Sequence, residues 1–145
     1  MQENTSDKSS GVHTFEIKGT YWKDNCFPSL NDILAQAERH PKAYNDLKRE
    51  MEREVIRAVR RYLKGWKATT RVRLDITWGE KNKAPWRDQD NVVGAGRKII
   101  TDALVKTQTI TDDNPFFLGY GNNAFDYTDK PFIRVEIVEI EDFKK

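Results

Sequence analysis

The stretch Thr70–Trp78, TRVRLDITW, carries the clearest secondary-structure signal in the chain. Its apolar positions are Val72, Leu74, Ile76 and Trp78, and each alternates with a polar residue. Because successive side chains of a strand point to opposite faces of a sheet, this alternation predicts a half-buried strand. Arg71 and Arg73 would then point together from its exposed face.

Upstream of this strand the sequence predicts two helices and one further strand. Ser29 or Asn31 caps a short helix that runs to about Arg39, and His40-Pro41 ends it because a residue before proline disfavours helical geometry. Lys42–Lys64 is the longest helix, with Gly65 as its C′ residue. Its apolar stripe comprises Tyr44, Leu47, Met51, Val55, Val59 and either Tyr62 or Leu63. Val12–Tyr21 reads as a first strand, and residues 1–11 as a flexible N-terminal tail.

Downstream, the sequence predicts a basic loop over Gly79–Arg87 and a helix over Asn91–Lys106. Gly94 and Gly96 lie inside that helix, where glycine is unfavourable, and suggest a kink, a late helix start or a close backbone approach. The remaining strands are expected at Phe116–Tyr120 and Pro131–Ile140. We expect Phe116, Phe117 and Tyr120 to pack in the core, with a dimer interface or a junction wedge as alternatives.

This order of elements predicts an α+β fold, a small mixed β-sheet with helices packed on it. A chain of 145 residues is one domain by expectation, here spanning residues 12–145. Cys26 is the single cysteine, which excludes an internal disulfide and a cysteine metal cluster and fits a reducing cytoplasm. No apolar run is long enough to cross a membrane, so we expect no membrane partner.

Basic residues are concentrated in the middle of the chain. Residues 39–98 contain 17 basic and 8 acidic residues, a net charge of +9, against −3 before them and −4 after them. Such a block predicts an anionic partner on one face. For its helical part, a solvated surface is an equally good explanation, and the arginines late in the long helix also suit the negative end of the helix dipole.

Four of the aspartates that follow the central strand form two close pairs, Asp88 with Asp90 and Asp112 with Asp113. In an extended segment Asp88 and Asp90 would point the same way. Two oxygen ligands on one face, with a third from a later turn, can hold Mg²⁺ or Mn²⁺ and leave room for water and a phosphate. Each part also has a simpler explanation: capping or turn chemistry for the aspartates, and an i,i+4 ion pair for Lys98 with Asp102.

Taken in order, Arg87-Asp88-Gln89-Asp90-Asn91, Lys98, Asp102-Ala103-Leu104 and Asp112-Asp113 resemble the RusA family of Holliday junction resolvases. That family has a basic residue before D-x-D-N, a lysine one helical turn before D-A-L, and a D-D pair that ends eleven residues after the first residue of D-A-L. The resemblance is specific over residues 86–113 and looser over the flanking strands.

The resemblance implies a RusA-like fold and a homodimeric endonuclease that depends on Mg²⁺, or on Mn²⁺ as a substitute. Such an enzyme nicks four-way DNA junctions symmetrically in recombination and repair, in cellular or prophage settings. Asp88, Asp90 and Asp113 match the family's metal-binding catalytic aspartates, and Lys98 matches its catalytic lysine; Asp102 and Asp112 are secondary acidic positions. The basic residues expected to contact DNA phosphates are Arg71, Arg73, Lys81, Lys83 and Arg87.

One departure from the family pattern bears on the site. Asp102 follows Asp90 by twelve positions, whereas the family has eight. If the four extra residues extend the helix by about 6 Å, Lys98 moves away from Asp88 and Asp90; if the glycines loop out, it stays beside them. The insertion motivates an alternative, a non-catalytic junction or nucleic-acid-binding protein with the same fold. A structural interaction domain is a third reading.

Overall fold

The structure, a computed structural model, describes residues 11–18 and 26–140. The predicted tail, except Gly11, and positions 19–21 of the first predicted strand lie outside these ranges. The described elements are β1 (Val12–Lys18), α1 (Leu30–Arg39), α2 (Pro41–Leu63), β2 (Val72–Lys81), α3 (Gln89–Lys106), β3 (Leu118–Gly119), β4 (Asn123–Thr128) and β5 (Phe132–Glu139).

Strand β2 lies inside the sheet and pairs on both sides. The strand order is β1-β5-β2, and both β3 and β4 lie on the far side of β2. Strand β5 is antiparallel to β1 and β2, whereas β3 and β4 run parallel to successive parts of β2. Helix α3 makes the crossover that parallel neighbours require. The sheet is therefore mixed, and the predicted α+β class is confirmed.

The core lies between this sheet and the helices. The four apolar residues of the alternating stretch, Val72, Leu74, Ile76 and Trp78, are each no more than 2% exposed. From α2, the predicted stripe contributes Leu47, Met51, Val55, Val59 and Leu63 to the same hydrophobic cluster. Leu63 takes the last position, because Tyr62 is 43% exposed. None of helices α1, α2 and α3 combines the length and apolar character needed to cross a bilayer.

The helix ends predicted at Ser29, at His40-Pro41 and at Gly65 are confirmed. Ser29 caps α1 in a reciprocal capping box with Asp32. His40 ends α1 and also begins α2, because its backbone N–H donates to Gln36 and its Nδ1 accepts the N–H of Lys42. At the other end of α2, Lys64 and Gly65 both have positive φ, which turns the chain out of the helix.

Two predicted segments differ in extent. Strand β2 continues to Lys81, so the loop expected from Gly79 begins at Asn82, because residues 76–81 pair with β4. The strand expected over Phe116–Tyr120 is reduced to the two residues of β3. The longer strand, β4, starts at Asn123, between the two strands that the sequence predicts there. Parallel pairing to β2, which no local pattern encodes, decides both differences.

Helix α3 is unbroken through both of its glycines. A Cβ built on Gly96 would lie 2.5 Å from the ring of Trp78, which is buried, so this glycine permits a close approach of α3 to β2. A Cβ on Gly94 would meet nothing within 4 Å. Of the three explanations left open by the sequence, close approach is correct at Gly96.

Replacing each glycine by alanine should therefore have opposite effects on stability. Gly94→Ala should raise the free energy of unfolding by about 0.5–1 kcal/mol, because alanine is the better helix former. Gly96→Ala should lower it by about 1–3 kcal/mol, because the methyl group overpacks against Trp78. Urea denaturation of both variants measures the difference. Equal effects at the two positions would contradict the close approach of α3 to β2.

An ion pair joins β1 to β5 on the face of the sheet away from the core. Glu16 lies opposite Arg134 in the strand register, and its Oε2 accepts a 2.8 Å hydrogen bond from Arg134 Nε. This hydrogen bond is the largest influence on Glu16, and with a smaller contribution from Lys18 it holds the pKa of Glu16 below its ordinary value of 4.5.

Because the folded-state pKa of Glu16 is lowered, the pair stabilises the fold above the unfolded-state pKa, and that contribution is lost as the pH falls through the folded-state pKa. Glu16→Gln should lower the free energy of unfolding by about 0.2–1 kcal/mol at neutral pH and by progressively less in the acid range. Urea titrations across that range measure this, with Glu16→Gln in an Arg134→Met background as the control. If the difference in free energy of unfolding between wild type and Glu16→Gln stayed the same in acid, its cause would be packing and not charge.

Candidate catalytic site and nucleic-acid interface

Lys98 joins two carboxylates that are distant from each other in sequence. Its Nζ lies 3.2 Å from Asp102 Oδ1, one turn further along α3, and 3.8 Å from Asp113 Oδ2, in the loop after α3. The hydrogen bond to Asp102, followed by the charges of Asp102 and Asp113, raises the pKa of Lys98 above its ordinary value. The structure therefore brings together the predicted catalytic lysine and one of the three predicted metal-binding aspartates.

A reversal of the chain places Asp113 beside α3. Gln108 takes a positive φ just after the helix, and the N–H groups of Thr109 and Ile110 donate back to the carbonyl of Leu104. Ile110 is buried in the core, which holds the returning segment against the helix. Residues 111–113 then run back towards the middle of α3, where Lys98 lies.

These residues border an open depression of about 280 Å³, which we call the Lys98 depression. Its lining comprises Val93, Gly94, Arg97, Lys98, Thr101, Asp113 and Leu118. Gly94 leaves it open, because no side chain projects at that position. Lys98 and Asp113 are 62% and 43% exposed, so both are accessible to a ligand in the depression.

Asp88 and Asp90 lie at the start of α3 and not in an extended segment, so the prediction that they point the same way as strand neighbours is wrong. Asp88 is the N-cap, and its Oδ1 accepts the N–H of Asn91 at 3.1 Å. Asp90 is in the first turn. It shares a helix face with Gly94 and Lys98 at i, i+4 and i+8, about 12 Å of rise away from Lys98. The four extra residues therefore extend the helix.

This arrangement does not fit a cation held by three protein ligands. Within residues 11–18 and 26–140, no three Asp, Glu, His or Cys side chains are close enough together to share one ion. The chemistry of the donors nevertheless suits Mg²⁺, which proteins often hold through one or two carboxylates while substrate phosphates complete its coordination. Asp90 and Asp113 are exposed carboxylates of that kind.

The secondary acidic residues have local partners. Asp112 accepts the N–H of Asp113 at 2.7 Å and the side-chain amide of Asn114 at 3.1 Å, which is the turn chemistry weighed as the simpler explanation. Asp102 forms an ion pair with Lys98, and its other oxygen lies 3.4 Å from Lys48 Nζ on α2. Asp102 therefore ties α3 to α2 as well as holding Lys98.

Arg87 has partners within the protein. Its Nε and Nη2 donate to both oxygens of Glu80 at 2.8 and 2.7 Å, and its Nη1 donates to the carbonyl of Phe27 at 2.7 Å and to Asp32 at 3.4 Å. Burial acts to lower the pKa of Arg87, but the bonds to Glu80 outweigh it and the pKa is raised. A DNA phosphate would have to compete with the buried Glu80 for this guanidinium.

The two arginines of the central strand are also engaged. Arg71 Nε donates to the carbonyl of Pro115 at 2.9 Å, and Arg73 Nε lies 3.2 Å from both oxygens of Asp75. Both arginines are half-buried, Arg73 beside that carboxylate. Both arginines remain predicted DNA contacts, but their side chains serve the fold in this structure.

Lys81 and Lys83 line a second depression of about 270 Å³ with Trp86 and Tyr127; we call these four residues the aromatic-lysine surface. Trp86 is 56% exposed and packs edge-to-face on Tyr127, with ring centroids 5.5 Å apart. The Tyr127 hydroxyl accepts a 3.0 Å hydrogen bond from Gln89, in the first turn of α3. Tyr127 was not foreseen from the sequence, because it comes from β4, 41 positions after Trp86.

No protein-family model and no curated protein matches the chain. Among solved structures, PurLQS from Thermotoga maritima is similar with a TM-score of 0.35 and 12% identity, over 90% of this chain and 18% of that one. The chain thus spans less than a fifth of the length of that structure.

Removing the Arg87 side chain should destabilise the fold. Arg87→Ala leaves Glu80, which is 7% exposed, without its bidentate partner. Breaking a buried pair in this way costs about 3–5 kcal/mol, and we expect the lower end because a quarter of the Arg87 side chain is exposed. Chemical denaturation measures the loss, and Lys83→Ala, at an exposed position in the same loop, should change stability by less than about 0.5 kcal/mol. Unchanged stability with weakened DNA binding would instead make Arg87 a DNA contact.

Proposed function

We propose that this chain is a structure-specific endodeoxyribonuclease of the RusA type, which cuts four-way DNA junctions as a homodimer with Mg²⁺ as its cofactor. The observation that carries the proposal is the meeting of Lys98 and Asp113 at one open depression. The sequence singled out both residues as catalytic, although they lie 15 positions apart and on different elements. Asp90 lies on the same face of α3 as this depression.

Hydrolysis of a phosphodiester requires that a water attack phosphorus while the charge on the phosphoryl oxygens is stabilised. The Lys98 ammonium is exposed, and in this proposal it binds a phosphoryl oxygen placed over Gly94. Asp113, 3.8 Å away, orients Lys98 and accepts a hydrogen bond from the attacking water. As the new P–O bond forms, the P–O bond to the leaving sugar oxygen breaks; the water gives up a proton to solvent, and the leaving oxygen takes one up. Bound Mg²⁺ would supply further charge stabilisation and lower the pKa of that water.

The aromatic-lysine surface supports the choice of DNA as substrate. Lysines contact the backbone without regard to sequence, and an exposed indole can stack on a base. Through Gln89 this surface is joined to the first turn of α3, which also carries Asp90.

A pair of symmetric cuts in a junction with two-fold symmetry suits a dimer with the same symmetry. In a bacterial or prophage setting, which the resemblance implies, action on DNA would take place in the cytoplasm.

A second candidate is a junction-binding protein without nuclease activity. The observation that favours it is the continuous α3, which leaves about 12 Å of helix rise between Asp90 and Lys98. In the ranges that the structure describes, no three carboxylates converge before DNA is bound. Such a protein would keep the aromatic-lysine surface and its affinity for junctions, but would not cut them.

Incubation of a synthetic four-way junction with the protein and Mg²⁺ tests the proposal. The wild-type chain should make paired symmetric nicks. Asp90→Asn, Asp113→Asn and Lys98→Ala should each lower the nicking rate by at least about 100-fold, because each removes a charge that acts at the phosphate. All three should keep junction binding in a gel-shift assay. Asp46→Asn, an exposed carboxylate on α2, is the matched control and should cut normally.

Tight junction binding without cleavage, in Mg²⁺ and in Mn²⁺, would overturn the nuclease proposal and support the second candidate. If the protein bound junction and duplex equally weakly, and the aspartate variants did not change that binding, both candidates would be contradicted. The remaining explanation would be a structural interaction domain. Loss of cleavage in Asp90→Asn but not in Lys98→Ala would show that the extended α3 has removed this lysine from the site.

A further inference from the structure

Tyr120 is the most exposed large hydrophobic side chain in the described ranges, at 87%. The expectation that it packs in the core is therefore wrong, and Phe116, which is 57% exposed, is also outside the core. Tyr120 lies between β3 and β4, which form the edge of the sheet on the side of β2 away from β5. Neither the proposed nicking chemistry nor the aromatic-lysine surface uses it.

The backbone on both sides of Tyr120 is fixed. On one side, Gly119 pairs with Arg73 in the sheet. On the other, a Cβ on Gly121 would lie 1.8 Å from the carbonyl oxygen of Leu74, so only glycine can pack at this position. Asn122 then donates to Asp75 at 3.0 Å and accepts from Ile76 at 2.9 Å. Tyr120 is thus presented from an anchored backbone, which lowers the entropy that a ligand must remove on binding.

A planar cation lies over one face of the ring. The Arg97 guanidinium carbon is 5.9 Å from the centroid of Tyr120, within the range of a cation–π contact. Arg97 also lines the Lys98 depression, together with Lys98 and Asp113. A flat apolar surface with a flanking guanidinium therefore adjoins the place proposed for the phosphate.

We propose that Tyr120, with Arg97 over one face of its ring, stacks through the other face on an unpaired nucleobase of the strand whose phosphate contacts Lys98. This inference rests on the proposed function and names the part of the DNA that the site holds. Stacking suits any base, because every base has an aromatic face, and arginine adds to it. A base inside a continuous duplex has both faces covered by its neighbours, so the contact is available only where stacking is interrupted.

The consequence is a preference for branched over continuous DNA that needs no sequence readout. At a four-way junction the base pairs at the branch point lose a stacking neighbour in their own arm or exchange it for one in another arm. A base that leaves this position for Tyr120 gives up less stacking energy than a base inside duplex. The phosphate next to that base would then lie over the Lys98 depression.

The experiment measures binding without cleavage, with EDTA present, by anisotropy of a labelled four-way junction. A second junction, identical except for abasic nucleotides at the branch point, removes the bases but keeps the phosphates. Wild type should bind the abasic junction about tenfold more weakly than the intact one. Tyr120→Ala should bind the intact junction about tenfold more weakly than wild type, with no further loss on the abasic junction. Tyr120→Phe should behave as wild type.

Tyr62→Ala is the matched control, because Tyr62 is also exposed and has Arg61 at 5.8 Å from its ring, but lies on α2. It should bind both junctions as wild type does. Equal binding of the intact junction by wild type and Tyr120→Ala would overturn the inference. So would a change from dimer to monomer in Tyr120→Ala by light scattering, which would place the ring between two copies of the chain.

Failure of this inference and failure of the proposed function have different signatures. Normal cleavage together with unchanged affinity in Tyr120→Ala would overturn base stacking alone. In the opposite case, wild type never cuts the junction, while Tyr120→Ala and the abasic junction weaken binding by the same amount and not additively. That result would overturn the nuclease function alone.

Discussion

Helix α3 packs on β2 through the contact of Gly96 with Trp78, and the geometry of the candidate site depends on this contact. The indole is 1% exposed, and it leaves no room for a Cβ on the helix. Its Nε1 donates to the side chain of Asn123 at 3.0 Å, which ties the same residue to β4. One side chain thus fixes α3 relative to two neighbouring strands, and α3 and the loops at its two ends carry the residues of the candidate site.

With α3 fixed in this way, the spacing of charges along it follows from helix geometry. Asp90, Gly94 and Lys98 succeed one another at single turns on one face. Asp113 reaches Lys98 only because the chain folds back after the helix and Ile110 enters the core. Lys48, Asp102, Lys98 and Asp113 then form a line of alternating charges from α2 to the loop. Each exposed pair is weak alone, so the line orients Lys98 more than it stabilises the fold.

The five basic residues predicted to contact DNA divide into two groups that a count of charges cannot separate. Arg71, Arg73 and Arg87 each have carbonyl or carboxylate partners within the protein, and Arg87 joins β2 to the segment before α1. Lys81 and Lys83 instead border a depression with two exposed aromatic rings. Arginine, with its planar fork of donors, suits the partly buried bonds, whereas lysines keep their charge in solvent. An anionic partner would therefore meet the lysines first.

The sequence by itself determined the features that depend on residues only a few positions apart. These are the alternation of β2, an N-cap near Ser29, the helix break at His40-Pro41 and the stripe of α2, and the order of these elements in turn indicated the α+β class. Tertiary structure alone decided the end of β2, the position of β4, the partners of Arg87 and the exposure of Tyr120, because each depends on segments far apart in sequence. The course of α3 shows the same division. Its two glycines disfavour a helix locally by about 1 kcal/mol each. Packing against Trp78, which only the fold supplies, outweighs that cost. The helix is therefore continuous, and its geometry sets the distance between Asp90 and Lys98.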